Sequence, residues 1–276
     1  MQARIRDRDG CLRSGRLAFL ERVSPIVLRW PSFLSGLIRV IAVHKIVKTF
    51  RPRFLEFTPV VPVLKGFSMT AHPGQVTGLV GANGAGKTTL FRILVGLEPI
   101  DSGAVRIDGL DSQAQPEAVR GKIALLPEKP ALGPARGLEV LQRFGILQGL
   151  SSAEIRRRLE FITRELDLGG FIKRPASTCS RGQAVRLSLA RLHLMDASTF
   201  IFDEPTVGLD FESAARVRGW IKSLAKEGHT VLLTSHLMSD LQGLCEAMVG
   251  LRDGVEVSPQ SLTGWDDALE AFRGEG

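Results

Sequence analysis

The chain has 276 residues, is 44% hydrophobic and carries a formal net charge of +7, which suits one large α/β domain or two small ones with a self-supporting core. Three widely spaced cysteines, Cys11, Cys179 and Cys245, argue against a disulfide framework and for a reducing compartment. The charge is concentrated: eight arginines face three acids between Met1 and Arg39, and the near-neutral remainder argues against a broad nucleic-acid-binding face.

Residues 1–39 read as a basic N-terminal extension without periodicity. A flexible arm, a membrane-surface contact and residues upstream of the true start all remain open, and the segment is expected to be poorly ordered. Its most apolar stretch, Ile26 to Val43, is broken by Arg29, Pro31 and Arg39, whereas a span needs about 20 mostly apolar residues. Arg16, Glu21 and Arg22 interrupt any secretory core.

From Val40 the pattern becomes that of a folded domain, 40–276. Val40 to Phe50 is β-rich, and Pro52, Pro59 and Pro62 punctuate a loop or edge hairpin. Val63 to Thr70 predicts a second strand, His72 to Gln75 a turn, and Val76 to Val80 a short apolar strand. That strand runs into a Gly-rich loop and a helix over Thr88 to Gly96. Further on, Ser151-x-x-Glu154 has the form of a capping box. Ile155, Leu159, Ile162 and Leu166 then fall on one helical face. Ser180 to Met195 predicts another helix. Strands over Phe200–Phe202 and Thr230–Thr234 flank a helix from about Glu212 to Lys226. Alternating strands and helices imply a mostly parallel sheet covered on both faces.

Gly81-Ala82-Asn83-Gly84-Ala85-Gly86-Lys87-Thr88 fits GxxxxGK[ST]. Its glycines let consecutive backbone N–H groups turn inward around phosphate. The following helix offers its positive dipole end. Lys87 supplies a full charge for the β- and γ-phosphates, and the Thr88 hydroxyl is placed to ligate Mg²⁺. A strand before and a helix after are what the mechanism requires. Asn83 is the chain's one asparagine, so an Asn-Lys-x-Asp guanine-reading motif is excluded.

Phe200-Ile201-Phe202-Asp203-Glu204 is a buried strand ending in two acids. Asp203 suits Mg²⁺ held through water, and Glu204 suits a base that polarises attacking water. Surface acids capping the next turn are the plainer alternative.

With its neighbours this pair becomes specific. Asp203-Glu204-Pro205-Thr206-x-Gly208-Leu209-Asp210 resembles the Walker B and D-loop run of ABC ATPases. Cys179-Ser180-Arg181-Gly182-Gln183 resembles their signature motif, and Ser235-His236 their switch histidine. Order and spacing agree from Val40 to the C-terminus, and the Leu125-Leu126-Pro127-Glu128 stretch looks most like exporter-type (ABC-2) components. The resemblance implies a P-loop NTPase (RecA-like) core with an N-terminal antiparallel β subdomain and an inserted α-helical subdomain at about 129–190.

The same resemblance implies roles. The backbone from Gly81 through Ala82, Asn83, Gly84 and Ala85 to Gly86, with Lys87, Thr88 and Thr89, would hold ATP phosphates. Phe50 would stack on adenine, ordinary core packing being the alternative. Asp203 and Thr88, with Glu128 where the family usually has Gln, would attend to Mg²⁺. Glu204 would be the general base, and His236 would contact the γ-phosphate. Ser180, Gly182 and Gln183 would complete the site of an opposing subunit, and Asp210, at the end of the D-loop run, would be a nucleotide-binding residue. Two departures stand out. Arg181 replaces a glycine and lies near the nucleotide or on the outer face. Cys179 replaces leucine and is a redox sensor or a small buried hydrophobe.

The implied function is ATP hydrolysis within a homodimer or heterodimer of ABC ATPases, driving a separate membrane permease from the cytoplasmic side. No nucleic-acid partner is expected. The rival readings are a soluble ABC-type ATPase acting on ribosomes or DNA, and a non-hydrolytic scaffold.

Overall fold

The computed structural model describes residues 40–50, 60–235 and 238–257, all within one unit, Leu37–Gly276. The basic extension, the Pro52–Pro59 stretch, His236 and the last residues lie outside the described residues.

Two antiparallel strands come first, β1 (Ile41–Phe50) and β2 (Val61–Ala71), paired from Ile41 opposite Ala71 to Phe50 opposite Val61. Strand β3 (Val76–Val80) is buried at every position, as its unbroken apolar run requires of a central strand. Helix α1 (Lys87–Leu94) follows. Strands β4 (Ser102–Ile107) and β5 (Leu110–Asp111) return to the first sheet, whose order is β2-β1-β4-β5. Helix α2 (Pro116–Arg120) then leads into β6 (Ile123–Leu126).

Three helices come next: α3 (Gly137–Leu147), α4 (Ser152–Glu165) and α5 (Arg181–His193). The chain then alternates through β7 (Thr199–Asp203), α6 (Phe211–Lys226), β8 (Thr230–Thr234) and α7 (Met238–Leu244). It continues as β9 (Ala247–Arg252) and β10 (Val255–Val257). The second sheet has the order β10-β9-β3-β8-β7-β6 and is parallel except for β10.

Strand alternation divides the core between the two faces of this sheet. Phe200, Phe202, Val231 and Leu233 join a cluster with the helical residues Leu189, Trp220 and Ile221. Ile201 and Leu232 face the other way, into a cluster with Phe67 and Leu90. Fully burying side chains of this size contributes about 1.5–3 kcal/mol each. A backbone bond from Lys65 N–H to Gly254 O (2.7 Å) ties the two sheets together.

Ile155, Leu159, Ile162 and Leu166 are buried as the period predicts. The capping box expected at Ser151 is only half made. Ser151 Oγ accepts from Glu154 N–H (3.2 Å), but the Glu154 carboxylate turns to Arg157 (2.7 Å) and Arg158 (2.6 Å) instead of reaching back. Ion pairs with two guanidinium groups outcompete the single reciprocal bond from the carboxylate to an uncharged backbone N–H. Ser180 and Gln183, in contrast, make the complete box at α5.

Candidate active site

Parallel α/β sheets bind ligands beyond the carboxyl ends of their strands. Here four adjacent strands, β3, β8, β7 and β6, deliver the chemistry in that direction. The Gly81–Thr88 loop follows β3, Thr234 closes β8, and Asp203 closes β7. Glu128 stands two residues beyond β6. The cross-strand partners Leu79, Thr234 and Asp203 lie in one row, which brings loop, hydroxyl and carboxylate to a common level.

Between them lies a cleft of about 650 Å³ lined by Asn83, Gly84, Gly86, Lys87, Thr88, Thr89, Glu128, Asp203 and Glu204, with Val63 and Val207. That volume falls in the range of small-molecule sites. Gly86 serves as N-cap of α1 with φ 109°, and a Cβ there would stand 3.1 Å from the Val63 side chain and 3.3 Å from its carbonyl oxygen. Only glycine fits both the angle and the space. The first turn of α1 has no side-chain cap and no acidic residue, so its N–H groups and dipole are directed at the cleft. Lys87 Nζ donates to Gly81 O (2.6 Å) and Ala82 O (3.1 Å), folding the loop around the ammonium.

Burial pushes the Lys87 ammonium below its ordinary pKa, against the opposing pull of Glu204 and Asp203. Burial also raises the Asp203 carboxyl, and the charge of Glu128 adds to this. A hydrogen bond from Thr234 and the charge of Lys87 act the other way. Thr234 was not legible as a site residue. Its hydroxyl donates to Asp203 Oδ1 (2.7 Å) and accepts from Glu204 N–H (3.1 Å), while Thr234 O accepts from the same N–H (3.2 Å). Glu204 has φ 54°, in the left-handed region that costs a non-glycine residue about 1–3 kcal/mol and marks functional sites. The Thr234 clamp holds that turn, with both neighbouring carboxylates lining the cleft. Thr234→Val should therefore lower ATP turnover by more than tenfold while costing about 1–3 kcal/mol of stability for the orphaned carboxylate oxygen. Paired turnover and denaturant measurements check this.

The donor set fits Mg²⁺. Thr88, Asp203 and Glu128 offer oxygen ligands in one cleft. No group of three or more His, Cys, Asp or Glu among the described residues forms a metal cage. Mg²⁺ typically takes one or two carboxylates plus phosphate and water instead of an all-protein cage.

The remaining expected residues stand elsewhere. Phe50 is 38% exposed, which removes the core-packing alternative. Ser180 is exposed and does not line the cleft. Its oxygen accepts from Gln183 N–H (3.3 Å), and Gln183 Oε1 accepts from Ser180 N–H (3.1 Å), so Gln183 serves as a brace for the helix start. Asp210 caps α6, accepting from Ser213 N–H (2.9 Å) and Ser213 Oγ (2.6 Å), and these bonds lower its pKa. Arg181 is placed by the structure: its side chain crosses Gly208, within about 3.0 Å of where a Cβ there would be. The departure from glycine at 181 is thus packed against the glycine at 208. Cys179 packs against the helical core cluster. Burial raises its thiol pKa, with Arg174 opposing, which favours the hydrophobe over the thiolate sensor. His236 directly follows Ser235 beyond β8 and lies outside the described residues.

Residues 64–207 match the family model described as ABC transporter. The chain belongs to the ABC transporter family. It is 34% identical over 209 residues to the ABC transporter ATP-binding protein NatA of Bacillus subtilis (73% of this chain, 83% of the relative). It is 32% identical over 217 residues to the Nod factor export ATP-binding protein I of Paraburkholderia xenovorans (76% of this chain, 71% of the relative). A solved ATP-binding subunit of an ABC transporter superposes with TM-score 0.71 at 25% identity, covering 86% of this chain and 95% of that one. The P-loop NTPase fold and the ABC ATPase assignment follow. The chain is an ATP-binding, ATP-hydrolysing subunit of the ABC transporter type, and the ribosome- or DNA-directed reading is not favoured.

Proposed function

We propose that this subunit drives export by closing, with a second ABC ATPase, on ATP held in the cleft. One observation carries the reading: the phosphate loop and the Asp203–Glu204 pair share a cleft that Ser180 does not line, while Ser180 is exposed at the capped start of α5. A motif built to present a hydroxyl and a helix N-terminus, yet outside its own chain's cleft, fits the triphosphate of a facing subunit. ATP then neutralises both surfaces and holds them together, and loss of the γ-phosphate releases them.

Within each cleft the Gly81–Gly86 backbone, Lys87, Thr88 and Thr89 bind and orient the phosphates. Asp203, Thr88 and Glu128 would hold Mg²⁺, which would neutralise charge developing on the phosphate oxygens. Glu204 positions water in line with the γ-phosphorus and takes its proton. His236, which the motif order assigns to the γ-phosphate, would contact it. Phe50 stacks on adenine. Asp210 fixes the start of α6 and, with Arg181, the form of the loop between the two motifs.

The helices α3, α4 and α5 carry the motion to a membrane permease. Among the described residues no helix is long and apolar enough to cross a membrane, which supports a separate permease and a peripheral place on the cytoplasmic face. Export is supported by the Nod factor export relatives and by the exporter-type Leu-Pro-Glu stretch.

Crosslinking tests the proposal. In a chain with Cys11, Cys179 and Cys245 replaced, cysteines at Ser180 and Gly84 should join two subunits only when ATP is trapped. The same pair split between this chain and a related ATPase of its transporter tests the heterodimer. If neither arrangement yields an ATP-dependent crosslink, the shared-site reading fails.

A further inference from the structure

Lysine is rarely buried without a partner, yet Lys48, in β1, is only 5% exposed. Its ammonium is held on three sides. Glu98 Oε1 lies at 2.8 Å, Pro99 O accepts at 2.8 Å, and the Phe50 ring centroid lies at 4.8 Å. Lys48 and Phe50 are two residues apart on one strand, so their side chains share a face. The next residue is tied to the same loop from the other face: Thr49 N–H and Thr49 Oγ both donate to Asp101 Oδ2 (2.7 Å each). Glu98 to Asp101 thus grips β1 on both sides just before Phe50, and fixes where that ring stands.

Phe50 pairs with Val61, and Val63, two residues further along β2, lines the phosphate cleft. The ring thus belongs to the strand pair that contributes Val63 to the cleft, with a cation near it and 38% of the residue open to solvent. A buried ion pair is a weak source of stability, since apolar residues of similar volume often do as well. The positive charge therefore calls for a role that apolar packing would not supply. A cation near an aromatic face draws π density toward itself. The ring's remaining surface becomes poorer in electrons and better suited to an electron-rich purine, and a ring already fixed in place loses less entropy on binding.

We propose that Lys48 is a positioning residue for the nucleotide base, holding and polarising the Phe50 ring so that it stacks on adenine. This rests on the reading of Phe50 as the adenine-stacking residue. The lysine acts through the ring and makes no contact with phosphate, so its effect is confined to ligands that carry a base.

The test is calorimetric affinity of the full-length chain for ATP and for inorganic tripolyphosphate, which has the phosphates and no base. Phe50→Leu is expected to weaken ATP and spare tripolyphosphate. Lys48→Met is expected to weaken ATP by about five- to tenfold, again sparing tripolyphosphate, and to add little in the Phe50→Leu background. If Lys48→Met does not fold because Glu98 keeps only its longer contact to Arg92 (3.6 Å), the double replacement Lys48→Met with Glu98→Leu removes the charge and its nearer partner together and carries the same expectation. Equal weakening of both ligands, or no change in either, overturns the role of Lys48. If Phe50→Leu leaves the ratio of the two affinities unchanged, the adenine-stacking reading itself fails, and the proposal with it.

Discussion

Glu204→Gln should bind ATP within a few-fold of the unaltered chain and release phosphate about 10²- to 10⁴-fold more slowly, the usual contribution of a general base. The substitution preserves what the structure uses to place the side chain. The left-handed turn at 204 is held by the backbone N–H, which donates to Thr234 O and Oγ1, and neither bond involves the carboxylate. Glutamine keeps nearly the same volume and loses the capacity to take a proton together with the negative charge that faces Lys87. Binding is spared because the phosphate cradle is built from the other wall of the cleft, by the loop after β3 and the uncapped start of α1. With hydrolysis slowed and binding intact, ATP should accumulate dimers. Phosphate release and light-scattering mass, measured on one preparation, check both halves. Turnover at the ordinary rate would remove Glu204 as the base.

The contrast between α4 and α5 explains why some of this was legible in the sequence and some was not. Ser151-x-x-Glu154 and Ser180-x-x-Gln183 have the same form. Only the second closes, because Arg157 and Arg158 compete for Glu154 and no such cations are bonded to Gln183. Local patterns of this kind are settled by neighbours three and four residues away, and a closer reading of charge would have found the difference. The phosphate loop was fully legible, since its chemistry fixes both residue types and spacing within eight consecutive positions. Asp203 and Glu204 were legible from the apolar run before them.

Thr234 and Lys48 were not. Their meaning depends on partners 31 and 50 residues away, Asp203 and Glu98, and a lone threonine or lysine in a strand carries no local mark. The short strands β6, β9 and β10 escaped for the same reason, being four, six and three residues long and defined by pairing across the sheet. Arg181 could be seen as a departure, but its resting place over Gly208 depends on a turn 27 residues further on.

Lys87→Ala should abolish useful ATP binding, and the argument runs through charge. Asp203, Glu204 and Glu128 line the same cleft as Lys87, so an incoming triphosphate meets three carboxylates. Lys87 is the cationic side chain among the cleft's lining residues. Its ammonium already bonds two loop carbonyls, Gly81 O and Ala82 O, and burial lowers its pKa. A partly desolvated ammonium interacts more strongly with phosphate than a hydrated one, because little water remains to be displaced. Hydrogen bonds to charged groups contribute about 1.5–3 kcal/mol, which corresponds to roughly a ten- to hundredfold loss of affinity. Loss of the loop's internal anchor adds to this. Thermal shift separates binding from folding. At a ligand concentration near 100 times its dissociation constant, the unaltered chain gains about 2.7 kcal/mol of stability. A hundredfold weaker variant at the same concentration gains only about 0.4 kcal/mol by the same relation. The ligand-free melting temperature should change far less, since the alanine loses two bonds but also ends the cost of burying a charge. An ATP-induced shift of ordinary size in Lys87→Ala would show that the phosphates are held elsewhere.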